Sequence, residues 1–219
     1  MSARFLVKDI PCADRVGDRV GDRIGDQVGD QVGNRVANLV HTLIRAVQSR
    51  VDSVGIGSYW DWYPVEIKDN DQVALADFMA RHGFPVVPQL SMSGHTALGH
   101  TALGHTAFGY TALAEVHLAR CACAADAPFA SGAAAHQDNE GGLTPGNYRT
   151  LIVYAKNTAA GGGLAIYDAD PAGTCEIVDT CPPPDHVRAV LMDGDVWHCP
   201  VDLTGEGVRE SFVFQLPAF

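Results

Sequence analysis

Apolar positions along the chain follow two rhythms, and the change between them falls near residue 113. Over residues 36–51 they recur at mixed three- and four-residue spacings, so a helix packed on a core is predicted over 34–51. Just upstream, residues 16–35 read VGDR, VGDR, IGDQ, VGDQ, VGNR. A strict four-residue period drifts by about 40° per copy around a helix of 3.6 residues per turn. Each glycine adds a cost of ~1 kcal/mol against alanine, so residues 15–33 are expected to be only a weak, partly exposed extension of that helix. Residues 4–10 suit a short strand. In GSYWDWYPVEI, residues 57–67, Trp60 and Trp62 alternate with Tyr59, Asp61 and Tyr63, which predicts another strand. Its aromatics would pack on the preceding helix or line a substrate pocket. A second helix is expected over 69–83, with Asn70 as its cap and Gly83 as its stop, followed by a short strand over 84–90. The repeat GHTAL, GHTAL, GHTAF, GYTAL at 94–113 fits neither period, since alternate copies would flip faces on a sheet. A surface loop or lid is expected there, and nothing converges on its His95, His100 and His105 to make a metal site.

Beyond that repeat, short runs rich in apolar and β-branched residues are separated by turn residues. Residues 112–123, 129–135, 149–155, 163–167, 174–178, 187–192, 196–201 and 208–216 read as strands. Turn residues punctuate them at 157–163, 182–185, 193–195 and 202–207. Many short antiparallel strands suggest a sandwich or jelly roll. The fold class expected is mainly β with flanking α-helices. At 219 residues the chain suits one domain, with 1–113 as a helical, repeat-bearing elaboration and 114–219 as the β core.

Composition narrows the function without naming it. Apolar residues make up 47% and charged residues 19%, values of an ordinary globule. The formal net charge of −11 argues against nucleic acid as partner, because that affinity is built on Lys and Arg neutralising phosphates. No apolar run approaches the ~18 residues that span a membrane, and MSARFLVKDIPC lacks the apolar stretch of a secretion signal. A cytoplasmic location is the expectation, and the six cysteines then read as reduced thiols.

The chemistry concentrates in two stretches. AAAHQDNEGG, residues 133–142, places His136 and Asp138 two apart, where an extended segment points both side chains the same way. Some 60 residues on, His198 follows the turn Asp193-Gly194-Asp195, and Arg209 and Ser211 share one face of the last strand. That strand would be antiparallel to the one bearing His198 if 203–207 is a hairpin turn. Two imidazoles and a carboxylate on one face of an octahedral ion hold Fe(II) and leave positions open for reaction. The Arg209 guanidinium offers a planar fork for a carboxylate, and Ser211 a hydroxyl to the same oxygens.

Across residues 129–216 the sequence resembles the Fe(II)/2-oxoglutarate-dependent dioxygenases. The resemblance runs through His136-Gln137-Asp138, RTLIVY from Arg149, Gly161-Gly162-Gly163-Leu164, Gly194-Asp195, His198 and Arg209-Glu210-Ser211-Phe212. RTLIVYAKN followed by glycines looks like the prolyl-hydroxylase branch; Arg-x-Ser then Phe looks like the isopenicillin N synthase and plant oxygenase branch. It implies a double-stranded β-helix, or jelly roll. It also implies His136, Asp138 and His198 as catalytic iron ligands, with Arg209 and Ser211 holding the distal carboxylate of 2-oxoglutarate and O2 as co-substrate. Tyr148, Arg149 and Tyr154 are candidates for further 2-oxoglutarate contacts, and Arg120 and Trp197 for contacts with substrate. An intact Asp138 argues against the halogenases, in which a small residue takes the carboxylate's place.

The expected activity is therefore oxidation, chiefly hydroxylation, of an unactivated C–H in a small molecule such as an amino acid or natural-product intermediate. Hydroxylation of a prolyl or aspartyl side chain in a peptide or protein is the alternative within the class. Two others lie outside it: an interaction protein working through its repeats, and a cupin-type oxygenase without a keto acid, which would not need the Arg209 cation.

Overall fold

A computed structural model describes residues 4–12, 27–51, 57–86, 113–123, 134–138 and 148–218. The elements among them are β1 (Phe5–Pro11), α1 (Gln27–Val51), β2 (Tyr59–Pro64), α2 (Asp69–Arg81), β3 (Leu113–Cys121), β4 (Tyr148–Asn157), β5 (Leu164–Tyr167), β6 (Cys175–Val178), β7 (His186–Asp193), β8 (His198–Pro200) and β9 (Gly207–Pro217). They form two antiparallel sheets, one of six strands in the order β1-β7-β4-β9-β3-β2 and one of three in the order β6-β5-β8. His136 extends the small sheet past β8 through a single bridge to His198. From β3 onward the chain alternates between sheets: β3 in the large one, His136 at the small one, β4 large, β5 and β6 small, β7 large, β8 small, β9 large. That winding is a double-stranded β-helix, the jelly roll.

Strand alternation gives the large sheet two apolar faces. Leu151 and Val153 on β4, Val187, Ala189 and Leu191 on β7, and Phe212, Phe214 and Leu216 on β9 form one buried cluster with the helices. From α1 come Val36, Val40, Ile44 and Val47, a helical stripe; from α2, Leu75, Phe78 and Met79. Each such side chain stabilises the fold by roughly 1.5–3 kcal/mol on leaving water. The opposite face, with Ile152, Tyr154, Val190 and Met192, closes on Leu164, Ile166 and Val178 of the small sheet. Polar residues on that inner face, Thr150, Arg209 and Ser211 among them, are buried between the sheets.

Several local expectations change. Helix α1 starts at Gln27, so the described part of the expected extension, 27–33, is regular helix continuous with 34–51, while residues 15–26 lie outside the described residues. Gly33 explains part of this: a Cβ there would come within 3.0 Å of Ile10 Cγ2, so the repeat's glycine lets the helix settle against β1. Asn70 does not cap α2. The N-cap is Lys68, without a side-chain bond, while the Asn70 carbonyl accepts from Arg35. Gly83 does stop the helix, at φ 85°. Phe84 drops into the helix-side core instead of starting a strand, its amide bonded to the Met79 carbonyl. Residues 87–90, the second repeat up to 112, and 129–133 lie outside the described residues. No two of β8 and β9 form a hairpin: β8 pairs with β5, and β9 with β3 and β4, because residues 201–206 carry the chain from one sheet to the other. None of the six cysteines forms a disulfide, and no helix among the described residues is long and apolar enough to cross a membrane.

Candidate metal centre

The stretch around His136 is short, and what holds it is backbone. His136 N–H donates to the His198 carbonyl at 3.0 Å and His198 N–H to the His136 carbonyl at 2.9 Å, so two residues 62 positions apart in sequence face each other. Their rings lie 4.6 Å apart between centroids. Asp138 joins them: its Oδ1 is 3.9 Å from His136 Nε2 and 3.7 Å from His198 Nε2. All three donor atoms lie within 4.8 Å of one another.

The remaining polar atoms of the trio are already engaged. His136 Nδ1 is 3.0 Å from the Ala134 carbonyl, and His198 Nδ1 is 2.9 Å from the Val196 carbonyl. A carbonyl can only accept, so each ring carries a proton on Nδ1 and turns Nε2 inward. Asp138 is divided in the same way. Its Oδ2 accepts from the Thr150 hydroxyl, leaving Oδ1 toward the imidazoles. Three candidate ligand atoms thus converge on one point, each side chain oriented by a hydrogen bond behind it. His198 is buried and His136 more open, with 37% of its side chain exposed, so the point is reached from the His136 side.

Arg209 and Ser211 sit on the same inner face, further along β9, and both are 3% exposed. The Arg209 guanidinium donates to the Gly162 carbonyl at 3.0 Å and lies 4.0 Å over the Trp60 ring. That carbonyl is held in turn by the Thr180 hydroxyl at 2.7 Å. Guanidinium has five N–H donors, and among the described residues no carboxylate pairs with this one. Burial lowers its pKa, an effect that Tyr154 opposes. Tyr154, register partner of Ser211, is buried and its phenol is pushed up to about 12 by desolvation, against the pull of Arg209. It stays a neutral donor beside the cation.

The other candidates separate. Arg149 is engaged with Asp193, Nε to Oδ1 at 3.0 Å, and Tyr148 is buried with its carbonyl accepting from Gly194 N–H. Arg120 falls at an even position of β3, the helix-side parity of Val116 and Leu118. Thr150 was not singled out by sequence. Its signal was there: in RTLIVY a threonine stands two residues before Ile152, on the face turned between the sheets.

No protein-family description and no curated protein sequence matches the chain. Among solved structures it is similar to a Pseudomonas putida prolyl-4-hydroxylase, with 14% identity and TM-score 0.46, over 84% of this chain and 88% of that one. It is also similar to a Trichoplax adhaerens prolyl hydroxylase, solved with a peptide fragment of the hypoxia inducible factor oxygen degradation domain. There the identity is 12% and the TM-score 0.46, over 99% of this chain and 84% of that one.

Proposed function

We propose that the chain is an Fe(II)- and 2-oxoglutarate-dependent oxygenase that hydroxylates a small molecule. The observation that carries this is the convergence of His136 Nε2, His198 Nε2 and Asp138 Oδ1. The donor set fits a divalent iron: two neutral imidazoles and one carboxylate, on one side only, leave further coordination positions open. At metal–ligand bonds of ~2.1 Å, donors at right angles stand about 3 Å apart. The separations of 3.7 and 3.9 Å from Asp138 Oδ1 are within roughly 1 Å of that, and all three donors fall inside 4.8 Å, so ring rotations would close the set on one ion.

When bound, the iron and keto acid would supply O2 activation, with 2-oxoglutarate, O2 and R–H giving succinate, CO2 and R–OH. The chain's own residues do the rest. The Ala134 and Val196 carbonyls keep the two rings in the ligating tautomer, and Thr150 turns Oδ1 of Asp138 toward them. Arg209 meets the distal carboxylate of the keto acid with the donors that Gly162 leaves over, Ser211 adds a hydroxyl, and the neutral Tyr154 phenol donates to the same group. The indole of Trp60 backs the guanidinium and keeps water from competing.

The test is succinate release by anaerobically purified protein given Fe(II), 2-oxoglutarate and then oxygen. Succinate is expected from the wild type, and Arg209→Ala should raise the 2-oxoglutarate concentration for half-maximal release by about 10- to 150-fold, as for a lost charge-assisted hydrogen bond. An unchanged requirement would remove Arg209 from the co-substrate site; no succinate at any 2-oxoglutarate concentration would remove the proposal.

A further inference from the structure

The inner face of β3 carries a pair that neither the metal centre nor the co-substrate site uses. Glu115 and His117 are two apart on one face, with His117 Nε2 3.0 Å from Glu115 Oε2. Their side chains are 15% and 28% exposed, in contrast to the sealed inner residues of β4 and β7. The register explains the difference. On β4 and β7 the inner face is roofed by β5 and β6, through Leu164, Ile166 and Val178. The opposite edge of the small sheet is the His136 stretch, so the inner faces of β3 and β2 border the open side of the metal centre. There His117 stands between Ser211 on β9 and Trp62 on β2, and Trp62 is 45% exposed.

The lattice of the sheet gives the scale. Glu115 is level with Ile152, two strands away from β4 and one inward step from Thr150, which holds Asp138. With ~4.8 Å between strands and ~3.3 Å per residue, that is roughly 12 Å between backbones, the reach of one extended small molecule. Charge is polarised along the same face. Glu115 is level with Val213, four residues or about 13 Å along β9 from Arg209, so an anion belongs at one end and a cation at the other. A half-buried carboxylate beside an exposed indole is a receptor for an organic cation, and a chain of net charge −11 draws cations toward it.

We propose that Glu115, oriented by His117 and flanked by Trp62, receives the ammonium or guanidinium group of the substrate. The enzyme then acts on a basic small molecule, a basic amino acid or an aliphatic polyamine. This rests on the oxygenase reading, and the test separates the two. Wild-type protein with Fe(II) and 2-oxoglutarate is offered lysine, ornithine, arginine and spermidine, the Nε-acetylated form of lysine, and neutral and acidic amino acids. The readout is succinate formed above the substrate-free level. A basic compound should stimulate release while acetyl-lysine and the acidic compounds do not. Glu115→Gln should raise KM for that compound by about 10- to 150-fold, the loss of one charge-assisted bond, with a much smaller change in kcat. Trp62→Ala, at an exposed position, should raise the same KM several-fold, and decides the matter if Glu115→Gln fails to fold. Stimulation by neutral or acidic compounds alone, or by none, or a KM within twofold of wild type in the folded variants, overturns the cation subsite. Absence of succinate from the wild type with or without substrate overturns the oxygenase reading itself.

Discussion

Each residue of the trio is legible as a ligand only with the partner behind it. His136 and His198 present Nε2 because a carbonyl two residues upstream holds Nδ1–H in both. The sequence displays His-x-Asp plainly; it displays neither the carbonyls nor Thr150, which depend on how a turn and a strand meet. Tyr154 shows the same limit. In the sequence it is one of three candidates for co-substrate contact, with Tyr148 and Arg149, and only burial beside Arg209 distinguishes it. With a pKa of about 12 when folded against 10 when unfolded, its proton is kept by the native state and released by the unfolded chain between those values. Stability is therefore intact below pH 10 and falls as pH rises from 10 to about 12, by roughly 2–3 kcal/mol from this group. Urea unfolding at pH 9 and pH 11.5 should show Tyr154→Phe losing less stability than wild type. Equal losses would mean that the phenol is not held in a water-poor site.

Among elements, the long strands and the packed half of α1 follow from periodicity, and the short or strained ones do not. β4, β7 and β9 each extend the apolar runs read from sequence by a residue or more at their ends. β8, by contrast, is three residues long, too short for any period to announce. The turn composition of 203–207 leaves a hairpin with β9 open; that composition serves equally for the crossing between sheets that the structure has there. The crossing depends on Gly207, at φ 151°, where a Cβ would sit 2.5 Å from the Ala159 amide nitrogen. Since the obstacle is backbone, Gly207→Ala should cost about 3 kcal/mol or more, combining strain and overlap. Chemical denaturation measures it, and a loss under ~1 kcal/mol would mean that the crossing tolerates a side chain. The start of α1 within the repeat has a practical consequence as well. Deleting residues 16–33 would remove the helix's first turns and the Gly33 contact with β1, so such a deletion would disturb the packing of the β core and not the repeat alone.

In the whole molecule, two sheets and a helical layer divide the work. The helices seal one face of the large sheet with aliphatic and aromatic side chains, which frees the other face to carry polar groups between the sheets. On that inner face Thr150, Tyr154, Ser211 and Arg209 run away from the candidate metal centre, and Glu115 and His117 border its open side. The sequence disclosed the class of this architecture through its strand count and pointed to His136, Asp138 and His198 as candidate ligands through spacing; the strand order that brings them together is a property of pairing, which no local pattern encodes. The claim on which the rest depends is that His136, Asp138 and His198 bind one Fe(II). Anaerobic calorimetric titration of Fe(II) into the wild type and the three single alanine variants tests it most directly. One ion per chain is expected for the wild type. Each variant should lose more affinity than the roughly 10- to 100-fold typical of an outer hydrogen-bond partner. Wild-type affinity in Asp138→Ala, or no binding to the unaltered protein, would contradict it.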